Sequence, residues 1–216
     1  WTEVDDYLSA LVAPHDDALD AALHANDDAG LPHIDVTATQ GKLLHILART
    51  CDARRVLEVG TLGGYSTIWL ARALPDGGQV VTLEIDPKHA RVARSNVDRA
   101  GVGDRVDIRV GPALDTLTAL AEDAGAAFDL TFIDADKPNT PEYFGRAVAL
   151  SRRGSLVVVD NVVREGEVAN AASTDDAVRA NRELMEIIAS DARVTGTAIQ
   201  TVGSKGYDGF VLAIVN

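Results

Sequence analysis

The stretch that decides the fold runs from Val56 to Pro87 and reads VLEVGTLGGYSTIWLARALPDGGQVVTLEIDP. Two apolar runs rich in Val and Leu flank a glycine-rich turn and a segment with helical spacing. Apolar strands that alternate with helices of this length are typical of a parallel sheet covered on both faces. Glycines at 60, 63 and 64 let the backbone turn tightly, and the helix that follows offers free N–H groups to a ligand. The stretch therefore predicts an α/β fold with a binding site at this turn.

The same alternation continues along the chain and then breaks at its end. The last two apolar runs, 193–202 and 209–215, are separated only by GSKGYD, which is too short for a helical crossover. They should pair as an antiparallel hairpin at a sheet edge. The sequence thus predicts a Rossmann-like sheet of seven strands, mostly parallel, with a C-terminal antiparallel hairpin and helices on both faces. The five earlier strands are predicted at 55–60, 79–85, 105–110, 128–134 and 154–160.

Helix signals set the outline of the chain. Asp86 and Gly101 bracket one helical pattern as its N-cap and its C-terminal glycine, and Gly125 closes another that starts near Leu114. Residues 1–35 carry two short helical patterns with acidic faces, which we interpret as a cap packed on the sheet. We therefore expect a single domain over 1–216, with a helical cap over 1–35 and an α/β core over 36–216 that carries the binding sites.

Charge and composition exclude several classes of function. The 216 residues carry a net charge of −13, so a basic nucleic-acid-binding face and binding to anionic membranes are disfavoured. The chain contains no apolar run of 18 residues, and its N-terminus lacks the pattern of a signal peptide. Cys51 is the only cysteine, which excludes an internal disulfide and fits a reducing compartment. A cytoplasmic protein is expected.

Acidic residues follow two of the predicted strands. FIDADKPN (132–139) ends a strand in Asp134, Asp136 and Lys137, and the next strand ends in Asp160 and Asn161. In a parallel sheet these ends share the carboxyl edge, where such sheets bind ligands. Two carboxylates and an amide oxygen suit Mg²⁺, Mn²⁺ or Ca²⁺, and Lys137 could act as a base. Taken singly, each acid could instead cap a helix or form a turn.

Two further carboxylates flank the glycine turn. Glu84, at the end of the second strand, occupies the place where an acidic residue holds a ribose diol in nucleotide-binding folds. Glu58 lies inside the first strand, where a carboxylate suits a ligand with a cationic end. The glycine spacing, G-x-x-G-G, does not match the dinucleotide fingerprint. The sequence also lacks the G-x-S-x-G serine elbow and the phosphate-binding P-loop.

In combination these segments resemble the cation-dependent class I O-methyltransferases, the family of caffeoyl-CoA and catechol O-methyltransferases. The resemblance rests on the stretch quoted above and on GPALDTL, FDLTFIDADKPN and LVVVDNVVREGEV, and it extends from about Val36 to the C-terminus. It implies S-adenosylmethionine as cofactor. The residues that it places around the cofactor are Val36, Glu58, Gly60, Thr61, Ser66, Glu84, Ala113 and Asp134.

The resemblance also implies a metal centre at the strand ends. Asp134, Asp160 and Asn161 match the ligands of a divalent cation, most simply Mg²⁺. Lys137 matches the base, with Asp134 beside it in the catalytic centre and Asp136 as a companion acid. A cation that binds both hydroxyls of a catechol would lower the pKa of the reacting one. The implied reaction is methyl transfer to one hydroxyl of a catechol-like small molecule.

The chain departs from the plant members of that family. Those enzymes carry an aromatic residue after the Asp-Asn pair and basic N-terminal residues that meet the phosphates of CoA. Here the loop reads DNVVREG, and the first 40 residues contain no Lys or Arg. A small phenolic acceptor is therefore expected in place of a CoA thioester, with Arg164 either contacting an anionic group on it or remaining a solvated loop charge.

Two other functions stay open from the sequence. An NAD-dependent oxidoreductase would use a similar sheet but needs a different glycine spacing. A non-catalytic S-adenosylmethionine-binding protein would keep the glycine turn without need of Asp134, Lys137 and Asp160. The resemblance further implies a homodimer.

Overall fold

A computed structural model describes residues 1–123, 125 and 127–216. A seven-stranded sheet has the order β3-β2-β1-β4-β5-β7-β6. The first five strands are parallel, and β7 runs antiparallel to both β5 and β6. The predicted Rossmann-like fold is thereby confirmed. The strands are β1 (Arg55–Val59), β2 (Gln79–Glu84), β3 (Val106–Val110), β4 (Phe128–Ile133), β5 (Ser151–Asp160), β6 (Val194–Gly203) and β7 (Gly206–Val215).

Helices cover both faces of the sheet. The helices are α1 (Thr2–Val12), α2 (Asp17–Asp28), α3 (Ala38–Thr50), α4 (Tyr65–Ala73), α5 (Pro87–Arg99), α6 (Ala113–Glu122), α7 (Thr140–Ala149) and α8 (Asp176–Ser190). On one face α2 to α5 form a hydrophobic cluster with the sheet, and on the other α6 to α8 form a second cluster. Within the described residues, none of the helices has the length and apolar character that a membrane span requires.

Local signals predict most element ends, although β5 begins at Ser151 and not at the predicted 154, and two further ends differ as well. The Asp86 carboxylate accepts the N–H of Lys88 at 2.6 Å, and Gly101 has a φ of +70°, so α5 begins and ends as predicted. The prediction that Gly125 closes α6 is wrong, because α6 ends at Glu122 and the next residue is already extended. The C-terminal hairpin is also tighter than expected, since β6 and β7 extend until a two-residue turn, 204–205, joins them.

The two N-terminal helices pack differently. Leu19 and Ala22 of α2 belong to the hydrophobic cluster beneath α3 to α5. In contrast, α1 buries none of its side chains. Its clearest polar tie is Asp5, whose carboxylate accepts both the N–H and the hydroxyl of Ser204 at 2.9 Å in the hairpin turn. The cap over 1–35 within a single domain stays a prediction, with α2 closely packed and α1 loosely attached.

One carboxylate ties three strands together at the end of the sheet opposite the strand-end acids. Asp129 of β4 accepts the N–H groups of Arg54 and Arg55 at 2.7 and 2.9 Å, and Arg152 of β5 donates to its other oxygen at 2.8 Å. Burial alone would raise the pKa of Asp129, but these donors lower it below its usual value. The contacts hold β1, β4 and β5 in mutual register.

Replacement of this carboxylate should destabilise the sheet. Asp129→Asn should lower the free energy of unfolding at pH 7 by about 1–3 kcal/mol, because it leaves buried donors unpaired. Since the pKa of Asp129 is lower in the folded state, its contribution is present above the unfolded value of about 3.9 and is lost as the pH falls through the folded value. Urea unfolding at pH 7 and pH 3 measures this, with exposed Asp76→Asn as the control. If the difference in unfolding free energy between Asp129→Asn and the unmodified protein were larger at pH 3 than at pH 7, the prediction would be contradicted.

Candidate active site

A cavity of about 530 Å³ opens at the carboxyl edge of the sheet. It extends from the glycine turn after β1 to the acids that follow β4, and its wall includes Ile85 and His89 beyond β2. Of the eight residues that the resemblance places around a cofactor, seven line this cavity. They are Val36, Gly60, Thr61, Ser66, Glu84, Ala113 and Asp134.

The glycine turn is shaped by close backbone contacts. Gly60 has a φ of +100°, and a Cβ atom at this position would lie 2.1 Å from the carbonyl oxygen of Asp134. Glu84 accepts the N–H groups of Thr61 and Leu62 at 3.2 and 2.8 Å. Glu84 therefore holds the turn in place, a role that the sequence did not predict. Its other oxygen accepts the N–H of Asp86 at 2.9 Å, and the side chain lines the cavity.

Glu58 is the eighth predicted residue, and it lies behind the cavity wall. Its side chain is fully buried and accepts the hydroxyls of Ser66, Thr67 and Thr82 at 2.6, 2.5 and 2.7 Å. Burial raises the pKa of Glu58 to about 7, against the effect of the three hydroxyl donors. A cationic group in the cavity would favour the ionised form of Glu58. Ser66 connects the two, because it lines the cavity and donates its hydroxyl to Glu58.

The predicted strand-end acids lie together. Lys137 Nζ lies 2.7 Å from Asp134 Oδ1 and 3.4 Å from the carbonyl oxygen of Asp160. Burial and the nearby Asp134 carboxylate raise the pKa of Asp160 to about 6, while Lys137 and Gln40 act in the opposite direction. Because burial and Asp134 disfavour the charged form of Asp160, a cation bound beside this carboxylate would stabilise it.

Asn161 completes this group through an unusual backbone conformation. Its φ is +58°, its N–H donates to Asp160 Oδ1 at 2.9 Å, and its carbonyl accepts the amide of Asn181 at 2.9 Å. The side-chain amide of Asn161 makes no hydrogen bond within the part of the chain that the structure describes, so its oxygen is available to a ligand. Asn181 was not predicted from the sequence, although a polar residue between Val178 and Leu184 on the buried stripe of α8 was a signal for it.

A second, smaller cavity of about 300 Å³ adjoins the first. The two share Asp35, Val36 and Asn161 in their walls, and Asp160 lines the smaller one. The rest of this wall comes from Asp5 of α1, from α3 and the residue before it, and from the β6–β7 hairpin, including Lys205 in its turn. The strand-end acids therefore lie where two cavities meet, an arrangement that the sequence did not predict.

Asp136 and Arg164 were predicted to contact the acceptor, but the structure gives each of them other neighbours. Asp136 accepts the hydroxyl of Tyr143 and the amide of Asn139, both at 2.5 Å, so its carboxylate is largely occupied by the protein. Arg164 lines the larger cavity and not the smaller one. Its backbone N–H donates to Asp208 at 3.0 Å, which fixes the loop after β5. A role for Asp136 or Arg164 toward an acceptor stays a prediction.

Comparison with known proteins identifies the family to which this chain belongs. The model of a family described as O-methyltransferase matches residues 14–214. The chain belongs to the O-methyltransferase family. A catechol O-methyltransferase of Niastella koreensis is 51% identical over 100% of this chain and 97% of its own length. Another from Mycobacterium tuberculosis is 55% identical over 99% of this chain and 95% of its own.

A solved structure agrees with these relatives. An O-methyltransferase of Bacillus cereus, in complex with S-adenosylhomocysteine, superposes with a TM-score of 0.98 at 53% identity, over 100% of this chain and 98% of that one. The protein is thus an S-adenosylmethionine-dependent O-methyltransferase, as the resemblance implied. The comparisons give no support to an NAD-dependent oxidoreductase or to a binding protein without activity.

The closeness of Gly60 to Asp134 gives a test of the methyltransferase site. Gly60→Ala should lower the free energy of unfolding by about 2 kcal/mol or more and weaken S-adenosylmethionine binding, because both the φ and the space demand glycine. Thermal unfolding and calorimetry measure these effects. Gly145→Ala is the matched control, since nothing lies within 4 Å of its Cβ position in α7. The control should be neutral or slightly stabilising, and equal behaviour of the two variants would refute the prediction.

Proposed function

We propose that this methyltransferase requires a divalent cation and methylates one hydroxyl of a catechol-like small molecule. The observation that carries the proposal is the position of Asp134, Asp160 and Asn161 at the junction of two cavities. One cavity is large enough for the cofactor, and the other for a single aromatic acceptor. The name catechol O-methyltransferase of the two relatives supports this class of acceptor.

The larger cavity is proposed as the cofactor site. Glu84, next to the loop that it holds, is suited to accept the ribose hydroxyls. Glu58 and Ser66 would favour the cationic ammonium of the methionine part, and Ala113, at the start of α6, would lie by the adenine. The remaining proposed contacts are Val36, Gly60, Thr61 and Asp134.

The chemistry of the donors fits a hard divalent cation. Among the described residues no group of three or more His, Cys, Asp or Glu is placed to hold a metal ion, and we propose the side-chain amide of Asn161 as the third protein donor. An all-oxygen set of Asp134, Asp160 and Asn161 suits Mg²⁺, with Mn²⁺ or Ca²⁺ as other candidates. When bound, the cation would supply Lewis acidity that lowers the pKa of a phenolic hydroxyl.

The protein itself would mainly orient the reactants and accept a proton. A sulfonium methyl group is already activated, so the walls of the two cavities contribute by aligning the acceptor oxygen with it. Lys137 lies beside Asp134 at the junction, and in its neutral form it would accept the phenolic proton. General-base assistance of this kind is worth about 10²–10⁴ in rate.

Assembly as a homodimer is also proposed. The outer side of α1 exposes Val4, Tyr7 and Leu11, and the adjoining strand β6 exposes Ile199 and Val202. An exposed apolar surface of this extent commonly marks an interface, and a second copy of the chain is the expected partner. Sedimentation equilibrium measures the mass directly, and a single species of 22.8 kDa would rule the dimer out.

A labelled-methyl assay over catechols, monophenols and CoA esters of hydroxycinnamates tests the proposed function. Catechols should be methylated with Mg²⁺ and not with excess EDTA. Asp160→Asn should lower turnover by about 100-fold or more while S-adenosylmethionine still binds, because it removes one cation ligand. Full activity in EDTA would disprove the metal requirement, and methylation of monophenols alone would disprove the acceptor class.

Lys137→Met provides the contrast within the same assay. This variant keeps all three oxygen donors, so calorimetry should still detect Mg²⁺ binding while turnover falls. If its turnover matched that of the unmodified enzyme, Lys137 would not be the base. Retained thermal stability in both variants shows that the loss is local.

A further inference from the structure

The smaller cavity contains charged groups that the proposed reaction leaves unexplained. Its wall includes four acidic side chains, those of Asp5, Asp35, Asp160 and Asp208, and a single basic one, Lys205. Asp160 belongs to the proposed metal centre. The other four must affect which acceptors the cavity admits.

One of the three remaining acids, Asp208, is held by the backbone around it. Asp208 Oδ1 accepts the N–H groups of Val163, Arg164 and Gly209 at 2.9, 3.0 and 2.9 Å. A carboxylate with three such donors is a structural element of the loop after β5, and its charge is largely compensated.

The other two acids are also held by the protein. Asp5 accepts the N–H and the hydroxyl of Ser204 at 2.9 Å. Asp35 accepts the amide of Asn26 at 3.0 Å, and burial raises its pKa. Each carboxylate of the cavity therefore has a hydrogen-bond donor from the protein.

Lys205 differs from these acids because it has no such partner. Its ammonium forms neither a hydrogen bond nor an ion pair with any residue that the structure describes. The two-residue turn between β6 and β7 places it in the cavity wall. Burial lowers the pKa of Lys205, although Asp35, Asp134 and Asp160 pull in the opposite direction. Although the surrounding turn removes some of its water, the Lys205 side chain as a whole is exposed, and its unpaired ammonium attracts an anion that enters the cavity.

We propose that Lys205 determines acceptor specificity by binding a negatively charged substituent on the catechol ring. The inference rests on the proposed function, because it assumes that the hydroxyls bind at the Asp160 end of the cavity. A carboxylate on the ring or on a short side chain would then extend toward the hairpin turn. Arg164, which was the candidate for this contact from the sequence, lines the other cavity.

A matched pair of acceptors separates charge from shape. Caffeate and its methyl ester share the catechol ring and the side chain, but only the acid is anionic, while dopamine provides a cationic catechol. The unmodified enzyme should have a higher kcat/KM for caffeate than for the ester. Lys205→Met should lower kcat/KM for caffeate by about 10- to 100-fold, the range expected for a lost hydrogen bond to a charged group. It should leave the ester within about 2-fold, since a neutral group does not use the charge.

Two further variants control the experiment. Lys205→Arg should retain the preference for caffeate, and Lys88→Met, which removes an exposed ammonium outside both cavity walls, should change neither acceptor. Thermal unfolding and S-adenosylmethionine binding should be unaltered in Lys205→Met, because its ammonium has no partner in the protein.

The outcomes distinguish the inference from the function on which it rests. If no catechol is methylated by the unmodified enzyme, the proposed function fails and the inference falls with it. If catechols are methylated but acid and ester are used equally, or Lys205→Met lowers both alike, only the inference is overturned. A preference for dopamine that survives in Lys205→Met would also overturn it, because Asp35 would then be the recognising group.

Discussion

The site depends on the hydrogen-bonded register of four parallel strands. Val59, Ile133 and Val159 are register partners across β1, β4 and β5, and Leu83 of β2 pairs with Val59 on the other side. The residues that follow these four therefore lie side by side at the carboxyl edge of the sheet, and they are Gly60, Glu84, Asp134 and Asp160. A slip of one residue in any strand would turn its last side chain to the opposite face. The Asp129 contacts at the far end of the sheet oppose such a slip.

Much of this arrangement could be predicted from the sequence because its signals are local. Apolar runs, the glycine turn and the Asp86–Pro87 helix start each depend on neighbours within a few residues, and parallel strands bring their ends to one edge. The short GSKGYD segment was enough to predict the C-terminal hairpin. The error at Gly125 has the same origin, since a glycine after a helical pattern suggests an end without fixing where the helix stops.

What the sequence did not reveal depends on contacts between distant segments. Glu84 accepts the N–H groups of Thr61 and Leu62, which precede it in the sequence by 23 and 22 positions. Asn181 meets Asn161 only because α8 packs behind the loop after β5. The smaller cavity forms only when α3 and the hairpin turn lie against the end of β5. No sequence pattern within a single segment predicts these contacts, because they form only when whole helices and strands pack together.

The weak attachment of α1 affects how an acceptor enters the smaller cavity and how the product leaves it. This helix buries none of its side chains, yet Asp5 connects it to the turn that carries Lys205. In a protein chain, such weakly packed elements separate at a smaller free-energy cost than core helices, and they do so while the rest stays folded. Because Asp5 and Lys205 both line the smaller cavity, separation of α1 from the hairpin turn would open its wall while the sheet and the strand-end acids stay in place. The proposed dimer, which covers the outer side of α1, would oppose this separation.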